Sequence, residues 1–288
     1  MDGNPPNRLR LLIFDLDGVI YRGEMPIPGA AALVAWAQAT GLRTRFATNN
    51  SMATRTAYAA RLGRMGIAAV PDDVVTSTSA TIGYLRRLVP EVATVLAVGG
   101  VGLVEELRDA SFSATPAQEV VGPRYDGGEL PSRYDAVITG LDLAFDYMRL
   151  AVAAAALRAG ARFVATNADM RYPTHAGFLP GAGAMVAALA AAGGVAPTVI
   201  GKPEPAMFAE ILDRDGVAPG EALVIGDNPD SDIVAARRAG IPSVLVLTGV
   251  ADRGMVEGLA GERRPGAVAD GPSELRDLIS QRLAAGAR

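Results

Sequence analysis

Short apolar runs without polar alternation, each followed by a helical pattern, recur along this sequence and constrain its fold more than any other feature. Leu11 to Phe14 precedes Ala30 to Ala39, and Thr44 to Ala47 precedes Thr54 to Met65. Val199-Ile200 precedes Ala206 to Leu212, Leu223 to Ile225 precedes Ile233 to Ala239, and Ser243 to Leu247 follows. Such runs mark strands covered on both faces, the parallel sheet of a doubly wound α/β domain. Gly41, Gly66, Gly216 and Gly240 fall where helix C-terminal caps are expected. An Ala267-Val268-Ala269 strand and a last helix capped by Ser273 complete the expected pattern.

Four of these strands end in polar residues: Asp15-Leu-Asp17, Thr48-Asn49-Asn50, Lys202 and Asp227-Asn228. In open parallel sheets ligands bind beyond the carboxyl ends of the strands, so these residues are expected to converge on one rim. Their spacing is uneven. Asp15 to Thr48 is 33 positions and Lys202 to Asp227 is 25, but Thr48 to Lys202 is 154. A second domain is therefore expected within that gap. It contains strand-like runs at Thr94 to Val98, Ala136 to Thr139 and Arg162 to Ala165, separated by helical patterns at Gly102 to Arg108 and Tyr147 to Arg158. The expected organisation is a Rossmann-like core of residues 1–89 and 181–288, carrying a smaller inserted α/β cap of residues 90–180. The alanine-rich pattern Gly183 to Ala192 is expected to return the chain to the core.

Half of the 288 residues are hydrophobic, enough for a well-buried core. The net charge of -4 argues against nucleic acid or an anionic membrane as partner, since both call for concentrated Lys and Arg. The absence of cysteine removes disulfides, thiolate metal sites and cysteine nucleophiles together. The polar start, Met1 to Arg10, lacks the apolar core of a secretory signal, and no apolar stretch approaches the roughly 20 residues of a bilayer span. A cytoplasmic protein acting on a small ligand is expected.

Asp15 and Asp17 are two positions apart, so in the turn after a strand both can point into one small volume. Two carboxylates so close repel each other unless a cation or a shared proton lies between them. Magnesium suits such a site, and Asp227 offers a further anionic ligand. A carboxylate can attack phosphorus to form an aspartyl-phosphate, while its neighbour protonates the leaving oxygen and later takes a proton from water. Phosphoryl transfer also needs charge and hydrogen-bond donors around the phosphoryl oxygens, for which Lys202, Thr48 and the Asn49 region are candidates.

The motifs Asp15-Leu-Asp17-Gly18-Val19, Thr48-Asn49-Asn50-Ser51, Lys202-Pro203 and Gly226-Asp227-Asn228-Pro-Asp-Ser-Asp232 resemble, in order, those of the haloacid dehalogenase (HAD) superfamily. Each is weak alone; the ordered set is strong. Arg22-Gly23 with Pro26 to Ala30, Ala165 to Asp169, Pro180 to Ala184 and Leu247 to Val250 extend the likeness to the NagD-like, 4-nitrophenylphosphatase or phosphoglycolate phosphatase type. The resemblance implies Asp15 as nucleophile and magnesium ligand. It implies Asp17 as general acid/base with its backbone carbonyl on the metal, and Asp227 as a metal ligand. Thr48, Asn49, Asn50 and Lys202 would bind substrate, Lys202 also restraining Asp15, while Asn228 and Asp232 would order the metal's waters or Lys202. The implied substrates are small phosphorylated metabolites: phosphoglycolate, glycerol phosphate, nucleoside monophosphates or 4-nitrophenyl phosphate. A homodimer through the cap is implied as well.

Within the insert, Asp169, Arg171 and His175, the last in an expected loop from Arg171 to Leu179, are candidates for substrate selection, although an isolated histidine, the only one here, is more often surface or structural. Arg162 to Asn167 echoes Arg45 to Asn49; spacing assigns the phosphate-binding Thr-Asn pair to the first. Gly99-Gly100-Val101-Gly102 resembles part of a phosphate-binding loop but lacks the rest of either nucleotide pattern, so a tight turn is expected. Two rival functions share these residues: a phosphotransferase passing the phosphoryl group to an acceptor other than water, and a non-enzymatic phospho-acceptor module, which has no need of so large an insert.

Overall fold

The computed structural model describes residues 8–120, 128–174 and 177–286. They form two compact units, and the chain passes between them four times. The first unit comprises Met1–Thr48, Thr56–Val75 and Lys202–Arg288, and the second Asn49–Arg55 and Thr76–Gly201.

The first unit starts with β1 (Leu11–Asp15), a small hairpin of β2 (Tyr21–Arg22) and β3 (Met25–Pro26), α1 (Ala30–Ala39), β4 (Arg43–Thr48), α2 (Arg55–Arg64) and β5 (Val74–Thr76). The second unit has α3 (Ser77–Leu88), β6 (Thr94–Val98), α4 (Val101–Asp109), β7 (Ser113–Pro116), α5 (Ala117–Val120), β8 (Ala136–Thr139) and α6 (Tyr147–Arg158). It continues through β9 (Arg162–Ala165), β10 (Arg171–Thr174), β11 (Gly177–Pro180), α7 (Ala182–Gly193) and β12 (Thr198–Val199). The chain then completes the first unit with α8 (Ala206–Asp215), β13 (Ala222–Gly226), α9 (Val234–Arg238), β14 (Ser243–Val246), α10 (Arg253–Glu257), β15 (Ala267–Ala269) and α11 (Pro272–Ala285).

The six strands of the first sheet run β15-β14-β13-β1-β4-β5. β1 lies between two parallel neighbours, Phe14 paired with Ile225 of β13 and Asp15 with Ala47 of β4. Leu11, Leu12, Ile13 and Phe14 have no exposed surface, as a strand covered on both faces requires. The sheet order turns back at β1, so the carboxyl ends of β1, β4 and β13 open on a topological switch point. Arg45, set in the middle of β4, is accommodated by two carboxylates. Its guanidinium donates to Asp215 at 2.9 and 2.6 Å and to Asp73 at 2.5 Å.

The five-stranded sheet of the second unit runs β12-β9-β8-β6-β7, all parallel. Here the structure corrects two expectations. The Val199-Ile200 run is not a core strand: β12 pairs with β9, and the pairing continues through Ile200 N to Ala165 O at 3.0 Å and Gly201 N to Thr166 O at 2.8 Å. A two-residue apolar run carries no information about which sheet receives it. The alanine-rich helix does not return the chain to the core either. α7 packs on α6, burying Val186 and Leu189 with Val152, Ala153, Ala156 and Leu157. Its composition explains the approach: a Cβ on Gly193 would stand 2.7 Å from the Leu157 side chain.

Two local expectations also change. The segment read as a loop from Arg171 to Leu179 contains an antiparallel hairpin of β10 and β11. The last helix is capped by Gly271 with Pro272 at its start, so Ser273 lies inside the first turn; proline is pre-organised for that first position. Because Leu189 is fully buried in the second unit's core, Leu189→Ala is expected to cost about 2–5 kcal/mol, read from the shift of the urea unfolding transition.

Candidate active site

β1 delivers Asp15 to the switch point, β13 delivers Asp227, and Lys202 is the first residue of the first unit after the inserted segment. Lys202, 3% exposed, lies between two carboxylates. Its Nζ donates to Asp15 Oδ1 at 2.5 Å and to Asp232 Oδ1 at 2.6 Å. The backbone O of Ala47, at the end of β4, is 3.4 Å from the same nitrogen. Asp232 in turn is fixed by its other oxygen, which accepts from the backbone N–H groups of Asp227 at 3.2 Å and Asn228 at 3.1 Å. The π-helical turn Pro229–Ile233 folds Asp232 back onto the strand end, and Asn228 caps that turn by accepting from Asp230 N at 2.9 Å.

Asp227 is held from the opposite side. Val250 N donates to its Oδ2 at 2.7 Å, and Ala251 N to its backbone O at 3.1 Å. Two glycines make room for that carboxylate. A Cβ on either Gly18 or Gly249 would overlap the Asp227 carboxylate, and Gly18 also has φ +80°, which β-carbon-bearing residues avoid. Thr248 Oγ1 ties the two segments together by donating to Gly18 O at 2.6 Å.

Asp15, Asp227 and Asp232 each present an oxygen within 4.8 Å of the others. Burial, reinforced by Asp232 and Asp227, pushes Asp15 well above the usual carboxylate range against the pull of Lys202. Burial, then Asp232, pushes Asp227 up to about 7. Burial alone would lower Lys202, but Asp15 and Asp232 outweigh it and raise its pKa. Three buried carboxylates thus face one ammonium, an excess of negative charge that a divalent cation would offset. The donors are all oxygen, with no sulfur or imidazole among them, and the two glycines leave a cradle at Asp227 that a Cβ would fill. A hard cation such as magnesium fits this set.

Asp17 does not join that cluster. Its carboxylate lies beside the backbone N–H of Gly23 and near Arg61. Burial raises its pKa while Gly23 and Arg61 oppose the rise. Arg61, from α2, stacks 3.8 Å from the Tyr21 ring centroid, bonds Gly23 O and pairs with Glu24 at 3.3 Å. The hairpin of β2 and β3 thus supplies part of the Asp17 surroundings, while the Asp17 charge still acts on Asp227. Arg61 escapes sequence reading because an arginine on a helix face normally denotes solvent.

Thr48 is buried at the end of β4, one residue beyond the pair of Ala47 with Asp15. Asn49 and Asn50 use their side chains within the second unit. Asn49 Nδ2 donates to Asp169 Oδ2 at 2.9 Å, and Asn50 Oδ1 accepts from Met52 N at 2.9 Å. Asp169 is thereby joined to Asn49, and the second Thr-Asn pair serves the first: Asn167 Nδ2 donates to Asn49 O at 2.7 Å. Arg171 lies exposed at the start of β10 with its guanidinium 5.6 Å from the Phe178 ring centroid. His175 lies outside the described residues.

A haloacid dehalogenase-like hydrolase family profile matches residues 12–113, and a HAD-hydrolase-like profile matches residues 199–275. The chain is 37% identical over 238 residues to an acid sugar phosphatase of Staphylococcus epidermidis, covering 83% of this chain and 86% of that protein. It superposes on a glycerol phosphate phosphatase of Mycobacterium tuberculosis in complex with magnesium with a TM-score of 0.78 and 37% identity, over 93% of this chain and 76% of the other. A 4-nitrophenylphosphatase from Thermotoga maritima gives a TM-score of 0.82 at 28% identity, over 94% and 97% of the two chains. With the carboxylates and lysine of the ordered motifs gathered at one switch point, the chain belongs to the haloacid dehalogenase-like hydrolase family, among its NagD-like phosphatases.

Proposed function

We propose that this phosphatase hydrolyses small phosphate monoesters through a phosphoryl group carried on Asp15, with the second unit as the cap that selects the leaving group. The observation that carries this reading is the Asp15–Lys202–Asp232 arrangement beside Asp227: a buried carboxylate kept in place by a lysine, next to a site suited to a hard cation.

Magnesium is the cofactor; held by Asp15, Asp227 and the backbone carbonyl of Asp17, it would draw charge from the phosphoryl oxygens. Lys202 orients Asp15 and opposes the effect of burial on its ionisation, so that Asp15 can act as nucleophile. An Asp15 oxygen bonds to phosphorus as the ester P–O bond breaks, and Asp17 gives its proton to the departing alkoxide. Asp17 suits that role, because it stands apart from the three-carboxylate cluster and burial favours its protonated form. Asp17, now ionised, takes a proton from water as the water oxygen bonds to phosphorus. The P–O bond to Asp15 then breaks, returning the carboxylate and releasing inorganic phosphate. Thr48 and Lys202 donate to the phosphoryl oxygens, with the turn at Asn49 and Asn50 completing their surroundings.

The substrate class is that of phosphoglycolate, glycerol phosphate, nucleoside monophosphates and 4-nitrophenyl phosphate. The sugar phosphatase and glycerol phosphate phosphatase relatives support it. Asp169 and Arg171 are the described cap residues assigned to substrate choice; the assignment extends to His175. We also read the protein as cytoplasmic; no helix among the described residues is long and apolar enough to cross a membrane. A homodimer through the second unit is supported by the exposure there of Leu143, Tyr147, Phe178 and Leu179.

Phosphate release from a panel of monoesters with magnesium tests the reading, and wild-type protein inert toward all of them would sink it. Asp15→Asn is expected to lower kcat on the order of 10⁴-fold or more. Asp17→Asn should cost about 10²–10⁴-fold in kcat, with the larger loss for poor leaving groups, read by comparing glycerol phosphate with 4-nitrophenyl phosphate. Adding polyol acceptors should leave inorganic phosphate as the main product, whereas a transferase would yield phosphorylated acceptor. Magnesium at about 100 times its Kd should stabilise the wild type by about 2.7 kcal/mol. Asp227→Asn should abolish that increment, as followed by thermal unfolding with and without the metal.

A further inference from the structure

Glu106, on α4, is a buried carboxylate that the phosphatase chemistry leaves unused. It is 6% exposed. Its Oε1 accepts from Arg55 N at 2.6 Å and its Oε2 from Thr76 Oγ1 at 3.0 Å, while the Arg55 guanidinium lies 3.6 Å away. These partners stand at two of the four chain crossings. Arg55 is the last residue of the second unit before the chain leaves it, and Thr76 the first on its return. Arg55 opens α2, so its N–H is one of those a helix leaves without an intrahelical partner. Thr76 caps α3, its Oγ1 accepting from Ser79 N at 3.0 Å. One carboxylate thus serves the starts of two helices.

The glycine run before it points the same way. A Cβ on Gly102 would stand 2.6 to 2.8 Å from the backbone of Ala53, and one on Gly100 would stand 3.0 Å from Met52 Sδ. In the second sheet β6 lies between β7 and β8, so its carboxyl end, Gly99-Gly100, is where an open parallel sheet would take a ligand. That place holds residues 51–53 of the chain itself. Ser51, fully buried, accepts from Leu141 N at 3.4 Å. The Gly99 to Gly102 run, similar in sequence to a phosphate loop, instead admits a backbone.

We propose that Glu106 is a positioning residue for the phosphate-binding turn Thr48-Asn49-Asn50. With Gly102 it seats Asn49–Arg55 on α4 and so sets where that turn stands. The proposal rests on the phosphate-binding role given to the turn above. A second path reinforces the seat: Ser77, directly after Thr76, donates from Oγ to Asn49 O at 2.7 Å. Glu106 is therefore linked to the turn both through the chain from Arg55 and through the Thr76–Ser77 pair.

The experiment compares wild type with Glu106→Gln, Glu106→Ala, Thr76→Val and Gly102→Ala, all loaded with magnesium. It measures kcat and KM for 4-nitrophenyl phosphate, binding of inorganic phosphate by calorimetry, and amide exchange over residues 49–56. Glu106→Ala and Gly102→Ala are expected to lower kcat/KM and phosphate affinity by about 10-fold or more and to speed exchange over 51–55, since small displacements of a positioning group are costly. Glu106→Gln keeps an acceptor for Arg55 N–H and should recover most of the loss; Thr76→Val should fall between. Lower unfolding temperatures with unchanged kcat/KM, phosphate affinity and local exchange would overturn the proposal. If Glu106→Ala does not fold, Gly102→Ala and Thr76→Val decide the matter by the same readouts. A wild type that binds phosphate but hydrolyses no ester defeats the proposed function, while the positioning proposal is still judged by phosphate affinity and exchange.

Discussion

The contact on which the active site depends is the Lys202 ammonium shared by Asp15 and Asp232. Removing charges from water costs several kcal/mol per ion, and such a group persists only when its partners are well placed. Here the single lysine touches two carboxylates while a third, Asp227, stands beside them. The arrangement is left short of positive charge. That deficit suits the three carboxylates to a divalent cation, the part given to them in the proposed function. Stability and function draw on the same imbalance, because fully neutralising the carboxylates with protein groups would remove the need for metal.

The backbone around this cluster is shaped to hold it. Gly18 and Gly249 allow Asp227 an approach that any side chain would block, and the tight turn after β13 brings Asp232 back to face Lys202. Asp17, only two residues from Asp15, is turned instead to Gly23 and Arg61. Nearness in sequence does not give the two carboxylates one environment: Asp15 is bound to Lys202, while Asp17 lies beside Gly23 and Arg61.

In the second unit a parallel sheet again presents a crevice at its strand ends, but there the chain fills it. Residues 51–53 lie where a ligand would be expected, against a glycine face of α4. The same open-sheet geometry holds a carboxylate cluster in one unit and seats a connecting segment in the other. What differs is what stands at the strand ends: the carboxylates of Asp15 and Asp227 in the first sheet, and Gly99, Gly100 and Gly140 in the second.

Much of this protein was legible in its residues. Unalternated apolar runs marked parallel strands because burial on both faces leaves no place for polar side chains; Asp15, Thr48 and Asp227 do stand at the ends of β1, β4 and β13, whereas Lys202 follows β12 of the other sheet. The long interval between Thr48 and Lys202 announced an insertion. Tertiary structure alone decided which sheet would take Val199-Ile200, that α7 would pack on α6, and that Asp232 rather than Asp17 would complete the carboxylate cluster. It also decided that the Gly99 to Gly102 run would receive backbone instead of phosphate. The reason is physical: periodicity records whether a residue is buried, and spacing records where a strand ends. Partner choice among buried groups depends on distances between segments that no local pattern carries.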